Sequence, residues 1–223
     1  WYAGPTLIDH LETVDAAAAS QDQPFRMPVQ WVSRPHQDFR GFAGTVAGGA
    51  VRPGDTVAIA RSGRTAKVTR IVTLDGDLPQ AARGDAVTLV LDAEVDASRG
   101  DVISAADSRA DVADQFAANL IWLGEEPMLP GRQYLLKSAA RTIPASITAL
   151  KHRIDVADLG RAPARLLEQN DIGLCNLSLA EPIAFDPYGE NRTTGSFILI
   201  DRYTNATVGA GMIQFALRRA TNI

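Results

Sequence analysis

Apolar and polar positions follow two different rhythms along this chain. In WYAGPTLIDHLETV, residues 1–14, Leu7, Ile8, Leu11 and Val14 recur at the spacing of one helical face. The spacing predicts a short helix, with Pro5 in the first turn, where its missing N–H is not needed. The following DAAAASQDQ, 15–23, is small and polar without periodicity and reads as a linker. From residue 24 onward, short β-rich runs are divided by Gly, Asp and Pro. Val87, Leu89 and Leu91 alternate with Ala86, Thr88 and Val90, which predicts a strand with one strongly apolar face.

A local pattern occurs four times: Gly54-Asp55-Thr56-Val57, Gly84-Asp85-Ala86-Val87, Gly100-Asp101-Val102-Ile103 and Asn170-Asp171-Ile172-Gly173. Gly or Asn takes the positive φ of a tight turn, Asp bonds back to the turn backbone, and strand formers follow. Short strands between closely spaced turns predict a sandwich or barrel. The small, polar run AADSRADVADQ, 105–115, divides the β-rich region. The expected fold is therefore all-β: two antiparallel β-barrels in tandem, entered by one short helix. Helix and linker occupy 1–23, the first barrel 24–106, and the second barrel with its tail 107–223. Inside the barrels, helical signal is confined to RAPARLLEQN, 161–170, after Pro163; the tail ALRRATNI, 216–223, reads as a fraying end.

Composition changes this picture little. Apolar residues make up 46% and charged residues 22% of the 223, as in an ordinary globular protein. The net charge is −4. Residues 24–106 carry 10 basic against 9 acidic side chains, and 107–219 carry 12 against 13, so neither half has the positive field of a general nucleic-acid binder. The single cysteine, Cys175, excludes an internal disulfide and lies in the apolar run IGLCNLSL as a buried, inert thiol; it fits a reducing, cytoplasmic setting. No apolar run approaches the length of a membrane span. Trp1 is not Met, so the sequence is expected to begin inside a longer protein or after processing.

Catalytic chemistry is not legible. No stretch matches the Gly-x-x-x-x-Gly-Lys-Ser/Thr loop whose backbone N–H groups surround phosphates; Ser62-Gly63-Arg64-Thr65 lacks the lysine and the spacing, and reads as a hairpin loop. Asn-Lys-x-Asp, which reads guanine, is absent, and so is a Gly-x-Ser-x-Gly elbow. His10, His36 and His152 stand far apart without a second ligand at metal-binding spacing. The Arg-Gly-Asp triplets at 83–85 and 99–101 fall in the repeated turn pattern, which explains them. Of three Asn-x-Ser/Thr sequons, at Asn176, Asn191 and Asn205, the first sits in a predicted buried strand. No catalytic, cofactor-binding or metal-binding residue is assigned.

Two surface features remain. Residues 132–153 hold Arg132, Lys137, Arg141, Lys151 and Arg153 with no acid between them, either a basic face for an acidic partner or a face balanced by acids elsewhere. Residues 186–195 form a polar loop rich in turn formers on a rigid scaffold, where binding residues concentrate, or else a merely structural hairpin. Its Asp186, Glu190 and Arg192, with the neighbouring Asp201 and Arg202, are candidate contacts to a partner or another domain. Arg40 is a further candidate, in the run Phe39-Arg40-Gly41-Phe42-Ala43-Gly44-Thr45-Val46, whose glycines permit close backbone approach in a strand and whose residues read equally as a strand packed into the core.

FDPYGENRTTGSFILIDRYTNATVGAGMI (185–213), LLKSAARTIPASI (135–147), HRIDV (152–156) and NDIGLCNLSLAEPIAFDPY (170–188) closely resemble the carboxy-terminal part of the GTPase subunit of sulfate adenylyltransferase. That family is built like elongation factor Tu, a GTP-binding domain followed by two β-barrels. The Phe39–Val46 run is similar to a strand motif in the second domain of such GTPases. The resemblance covers nearly the whole chain and implies the two barrels, with 1–14 as the last helix of the GTP-binding domain. It implies that GTP and Mg²⁺ bind outside this chain, that the chain alone is inactive, and that the parent couples GTP hydrolysis to formation of adenylylsulfate from ATP and sulfate. Implied partners are the separate catalytic subunit, the GTP-binding domain and, in some members, a fused adenylylsulfate kinase domain. The alternatives are a translation-factor-like RNA-binding module, against which the charge balance weighs, and an unrelated two-barrel scaffold.

Overall fold

The computed structural model describes residues 3–14, 23–37 and 39–217. The predicted linker, except Gln23, and the tail beyond Leu217 lie outside the described residues. Helix α1, Leu7–Thr13, starts at the cap Thr6, whose hydroxyl accepts the Asp9 N–H (3.2 Å) while the Asp9 carboxylate accepts the Thr6 N–H (3.2 Å). This reciprocal box fixes the cap one residue after Pro5, which therefore precedes the helix instead of opening its first turn. The apolar side chains Leu7, Ile8 and Leu11 are exposed.

The first barrel uses β1 (Arg26–Ser33), β2 (Gly41–Thr45), β4 (Thr56–Ile59), β5 (Thr65–Thr73), β8 (Ala86–Leu91) and β9 (Val102–Ala105). They hydrogen-bond in the order β4-β9-β1-β2-β8-β5, and β5 returns to β4, so the ring closes. The two-residue strand β6 (Gly76–Asp77) extends β5, while β3 (Ala50–Val51) and β7 (Ala81–Ala82) pair separately. Strict alternation fills the interior: β5 reads exposed-buried from Thr65 through Val68, and Val87 and Leu89 of β8 point inward. Met27, Phe42, Ile59, Ile71, Leu89 and Ile103 form the core. Close approach in β2 needs its glycines: a Cβ at Gly44 would lie 2.3 Å from the Pro28 carbonyl oxygen of β1.

The second barrel closes in the same way. Strands β10 (Asp111–Trp122), β11 (Gln133–Ser138), β12 (Arg141–Ile154), β14 (Ile172–Phe185), β15 (Ser196–Asp201) and β16 (Thr207–Ala216) run in the order β11-β15-β16-β10-β14-β12, and β12 returns to β11. The two-residue β13 (Arg161–Ala162) hangs on β12. Phe116 packs tilted against Phe185 (5.5 Å) and Phe197 (5.7 Å) at the centre. Gly211 lies under the Phe197 ring, leaving no room for a side chain.

All four repeated turns share one geometry. Gly54, Gly84, Gly100 and Asn170 have positive φ (97°, 98°, 93° and 70°), at the third position of a type II-like turn. The following aspartate donates its N–H to the carbonyl three residues back, and its carboxylate accepts that residue's N–H: Arg52, Ala82, Ser98 and Glu168 respectively, at 2.8–2.9 Å. One prediction fails. Residues 161–170 hold no helical turn; they form β13, a bend and an isolated bridge from Leu167 to Met128. Leu167 and Met128 are fully buried, and this long-range packing overrides local helix propensity.

Candidate interface

The two rings meet along a seam built on a buried ion pair. Arg26, at the start of β1, is 3% exposed, and Asp186, just after β14, is 5% exposed. The guanidinium meets the carboxylate with both Nε (2.9 and 3.0 Å) and Nη2 (2.8 Å), a forked pairing that fixes direction as well as distance. Arg26 Nη1 also donates to the carbonyls of Phe25 (3.0 Å) and Ser108 (2.6 Å), so one side chain ties the first barrel, the joint and the second barrel. The remaining capacity of Asp186 is filled by the buried Thr194 hydroxyl at 2.7 Å. Such saturation is what lets two charges leave water.

The loop 186–195 is folded onto the first barrel. Asn191 Nδ2 donates to the Ala47 carbonyl (3.2 Å), while its Oδ1 accepts the N–H groups of Thr193 (3.0 Å) and Thr194 (3.2 Å). Gly48 faces Asn191 so closely that a Cβ would sit 2.9 Å from its amide nitrogen. The Gln23 side chain donates to the Glu190 carbonyl. Farther along the seam, Arg61 pairs with buried Asp101 (3.0 Å), and Arg141 of β12 pairs with Glu181 of β14 while packing over Gly100. Ala60, Val102 and Ala110, with Ala184 against them, form a small apolar cluster between these polar groups.

The predicted contact residues are spread over three places. Asp186 is in the seam. Arg192 is exposed, its guanidinium carbon 5.9 Å from the Tyr188 ring, and the Glu190 side chain faces outward. Arg40 is half-buried over Phe42 (5.3 Å), its Nε without a partner. Asp201 ends β15 at its other end and Arg202 follows it: Arg202 donates to Gln133 (2.7 Å), and Asp201 holds its own turn.

Asp201 belongs to a cleft of about 470 Å³ in the second barrel, walled by Trp122, Arg132, Tyr134 and the exposed Tyr203. Arg132 bridges Asp201 (2.7 Å) and Glu126 (3.3 Å) above the Tyr134 ring. The backbone N–H groups of Thr204 and then Tyr203, with Arg132 adding to them, hold the Asp201 carboxyl below the usual carboxylate range. Burial pushes the Tyr134 phenol up. Three of the five cations in 132–153 thus meet acids from outside that stretch: Arg132, Arg141, and Arg153 on Asp171 (3.2 Å).

Cys175 is fully buried, and burial pushes its thiol up to about 12. No group of three metal-ligating side chains occurs among the described residues, and no described helix is long and apolar enough to cross a membrane. Sequence reasoning missed Arg26, Thr194 and the role of Asn191. A signal existed for the first: a lone charge inside the apolar run Phe25-Arg26-Met27-Pro28-Val29 is most simply a buried, paired one.

Residues 115–214 match the GTP-eEF1A C-terminal domain-like family. Over all 223 residues the chain is 58% identical to the bifunctional enzyme NodQ of Rhizobium sp. (strain N33), covering 34% of that protein. It is 49% identical to sulfate adenylyltransferase subunit 1 of Tolumonas auensis, over 99% of this chain and 47% of the relative, and 47% identical to the bifunctional enzyme CysN/CysC of Xylella fastidiosa, over 100% and 36%. The chain thus spans a third to a half of the length of these relatives. Among solved structures, Sup35 complexed with GDP superposes with a TM-score of 0.80 at 20% identity, over 98% of this chain and 53% of that one, a likeness of fold.

Proposed function

This chain belongs to the family of sulfate adenylyltransferase subunit 1 and NodQ, and we propose that it is the non-catalytic two-barrel part of a GTP-dependent sulfate adenylyltransferase. The observation that carries this reading is identity of 47–58% along the whole chain to relatives that are two to three times longer. The parent forms adenylylsulfate from ATP and sulfate in the cytoplasm. GTP and Mg²⁺ bind a GTP-binding domain outside residues 1–223, in keeping with the missing phosphate-loop and guanine-reading motifs. Residues 1–23 connect to that domain, 24–106 and 107–223 form the two barrels, and an adenylylsulfate kinase domain is a further partner in fused relatives.

The barrels serve as a bracket. The Arg26–Asp186–Thr194 lock supports this role because it holds one ring at a set angle to the other, so a displacement at one barrel is passed to its neighbour. Arg40, Glu190, Arg192, Asp201 and Arg202 remain contact candidates, with the catalytic subunit or the GTP-binding domain opposite them. The test is a pull-down of the catalytic subunit on the immobilised chain, beside calorimetric titration with GTP and Mg²⁺. Retention of the subunit without heat from GTP is the expected result. Micromolar GTP binding, or a catalytic subunit that passes through unretained, overturns the reading.

A further inference from the structure

We propose that the groove between the two barrels, rimmed by Arg83, Arg99 and Lys137, is a docking site for an acidic peptide segment of a partner protein. Such docking does not depend on which reaction the parent enzyme performs.

Both Arg-Gly-Asp triplets contribute, and for a reason of turn geometry. Arg83 and Arg99 occupy the second position of their turns, while Gly84 and Gly100 carry the positive φ at the third. Each aspartate is turned back: Asp85 accepts the Ala82 N–H at 2.8 Å, and Asp101 accepts the Ser98 N–H at 2.9 Å and the Arg61 guanidinium at 3.0 Å. The adjacent acids are thereby occupied within the turns and at Arg61, while the arginines line the groove. Lys137 reaches it from β11 of the other barrel.

Arg83 and Lys137 meet no carboxylate among the described residues; Arg99 gives one N–H to the Gln30 carbonyl (3.0 Å). The groove measures about 470 Å³, and no acid lines it. Its walls are Pro28, Val46, Ala47, Ala139 and Ala140, with the Gln30 and Thr193 side chains beside them. Cations on the rim and small apolar groups within suit glutamate or aspartate side chains, whose methylenes pack while their carboxylates reach forked donors. A nucleic-acid strand fits less well. No aromatic residue lines the groove for base stacking.

The test titrates the 223-residue chain with a short fluorescein-labelled glutamate homopeptide, with inorganic pyrophosphate and with a short oligothymidylate. The expected result is salt-sensitive binding of the peptide, with Gly84 and Gly100 amide resonances shifting on titration of the wild-type chain. The triple variant Arg83→Gln/Arg99→Gln/Lys137→Gln should weaken binding by on the order of tenfold with melting unchanged. The control Arg64→Gln/Lys151→Gln/Arg165→Gln, equal in charge and away from the groove, should bind like wild type. Equal weakening by the control, preference for the oligothymidylate or pyrophosphate, or no peptide binding with the two glycine resonances unmoved would each overturn the proposal.

Discussion

Arg26 and Asp186 are separated by 160 residues and stabilise one another only while both remain. Removing one leaves the other charged, buried and unpaired, which costs roughly 3–5 kcal/mol, whereas replacing both with apolar residues of similar volume is close to neutral. Asp186→Ala should therefore lower the urea midpoint strongly, and Arg26→Met/Asp186→Leu should recover most of the loss; equal destabilisation by both variants would show that an unpaired buried charge is not what the single variant suffers from. Cys175 is governed by burial alone. Its thiol, pushed up to about 12, should resist a disulfide reagent at mildly alkaline pH in the folded chain and react fully in denaturant. Asp201 behaves in the opposite sense. Its folded pKa is depressed, so its contribution is present above the unfolded value and lost as pH falls through the folded one. The amide resonances of Tyr203 and Thr204 should move on acidification below about pH 4, and should not do so in Asp201→Asn.

The repeated turn is the element whose behaviour follows most directly from its residues. At Gly54 nothing lies within 4 Å of an added Cβ, so Gly54→Ala meets only the backbone penalty of positive φ, about 1–2 kcal/mol. At Gly100 the same Cβ would lie 2.8 Å from the Arg141 Cβ, so Gly100→Ala should cost more, and urea unfolding of the two variants should show that order. These turns, and the strands they launch, were legible in the sequence because four adjacent residues contain the whole interaction. Loop 186–195 was legible as a loop for the same reason, from Pro187, Gly189 and Gly195. Its destination was not: Asp186 and Asn191 are held by Arg26 and Ala47, well over a hundred residues away, and no local pattern reports that pairing. RAPARLLEQN misled for the complementary reason. Its helix-favouring composition is local, while the bridge from Leu167 to Met128 that decides its conformation is not.

At the scale of the whole molecule, the joint between the rings is held rather than slack. Ala110 is buried, and the Ser108 carbonyl accepts Arg26 Nη1. Trypsin should spare the exposed Arg109 in the wild-type chain and cut there early in Asp186→Ala, as followed by fragment mass. Early cleavage in both would show that the lock does not order the joint. Ring closure has a consequence of another kind. Every strand of the two six-membered rings has a neighbour on each side, and the main ladders end in the two-residue strands β6 and β13. An unpaired strand margin is the template on which proteins recruit a foreign strand or stack into fibrils. Within the described residues these rings offer almost none, so whatever binds the barrels must recognise side chains and loops, and a concentrated solution of the folded chain has little backbone on which to seed amyloid.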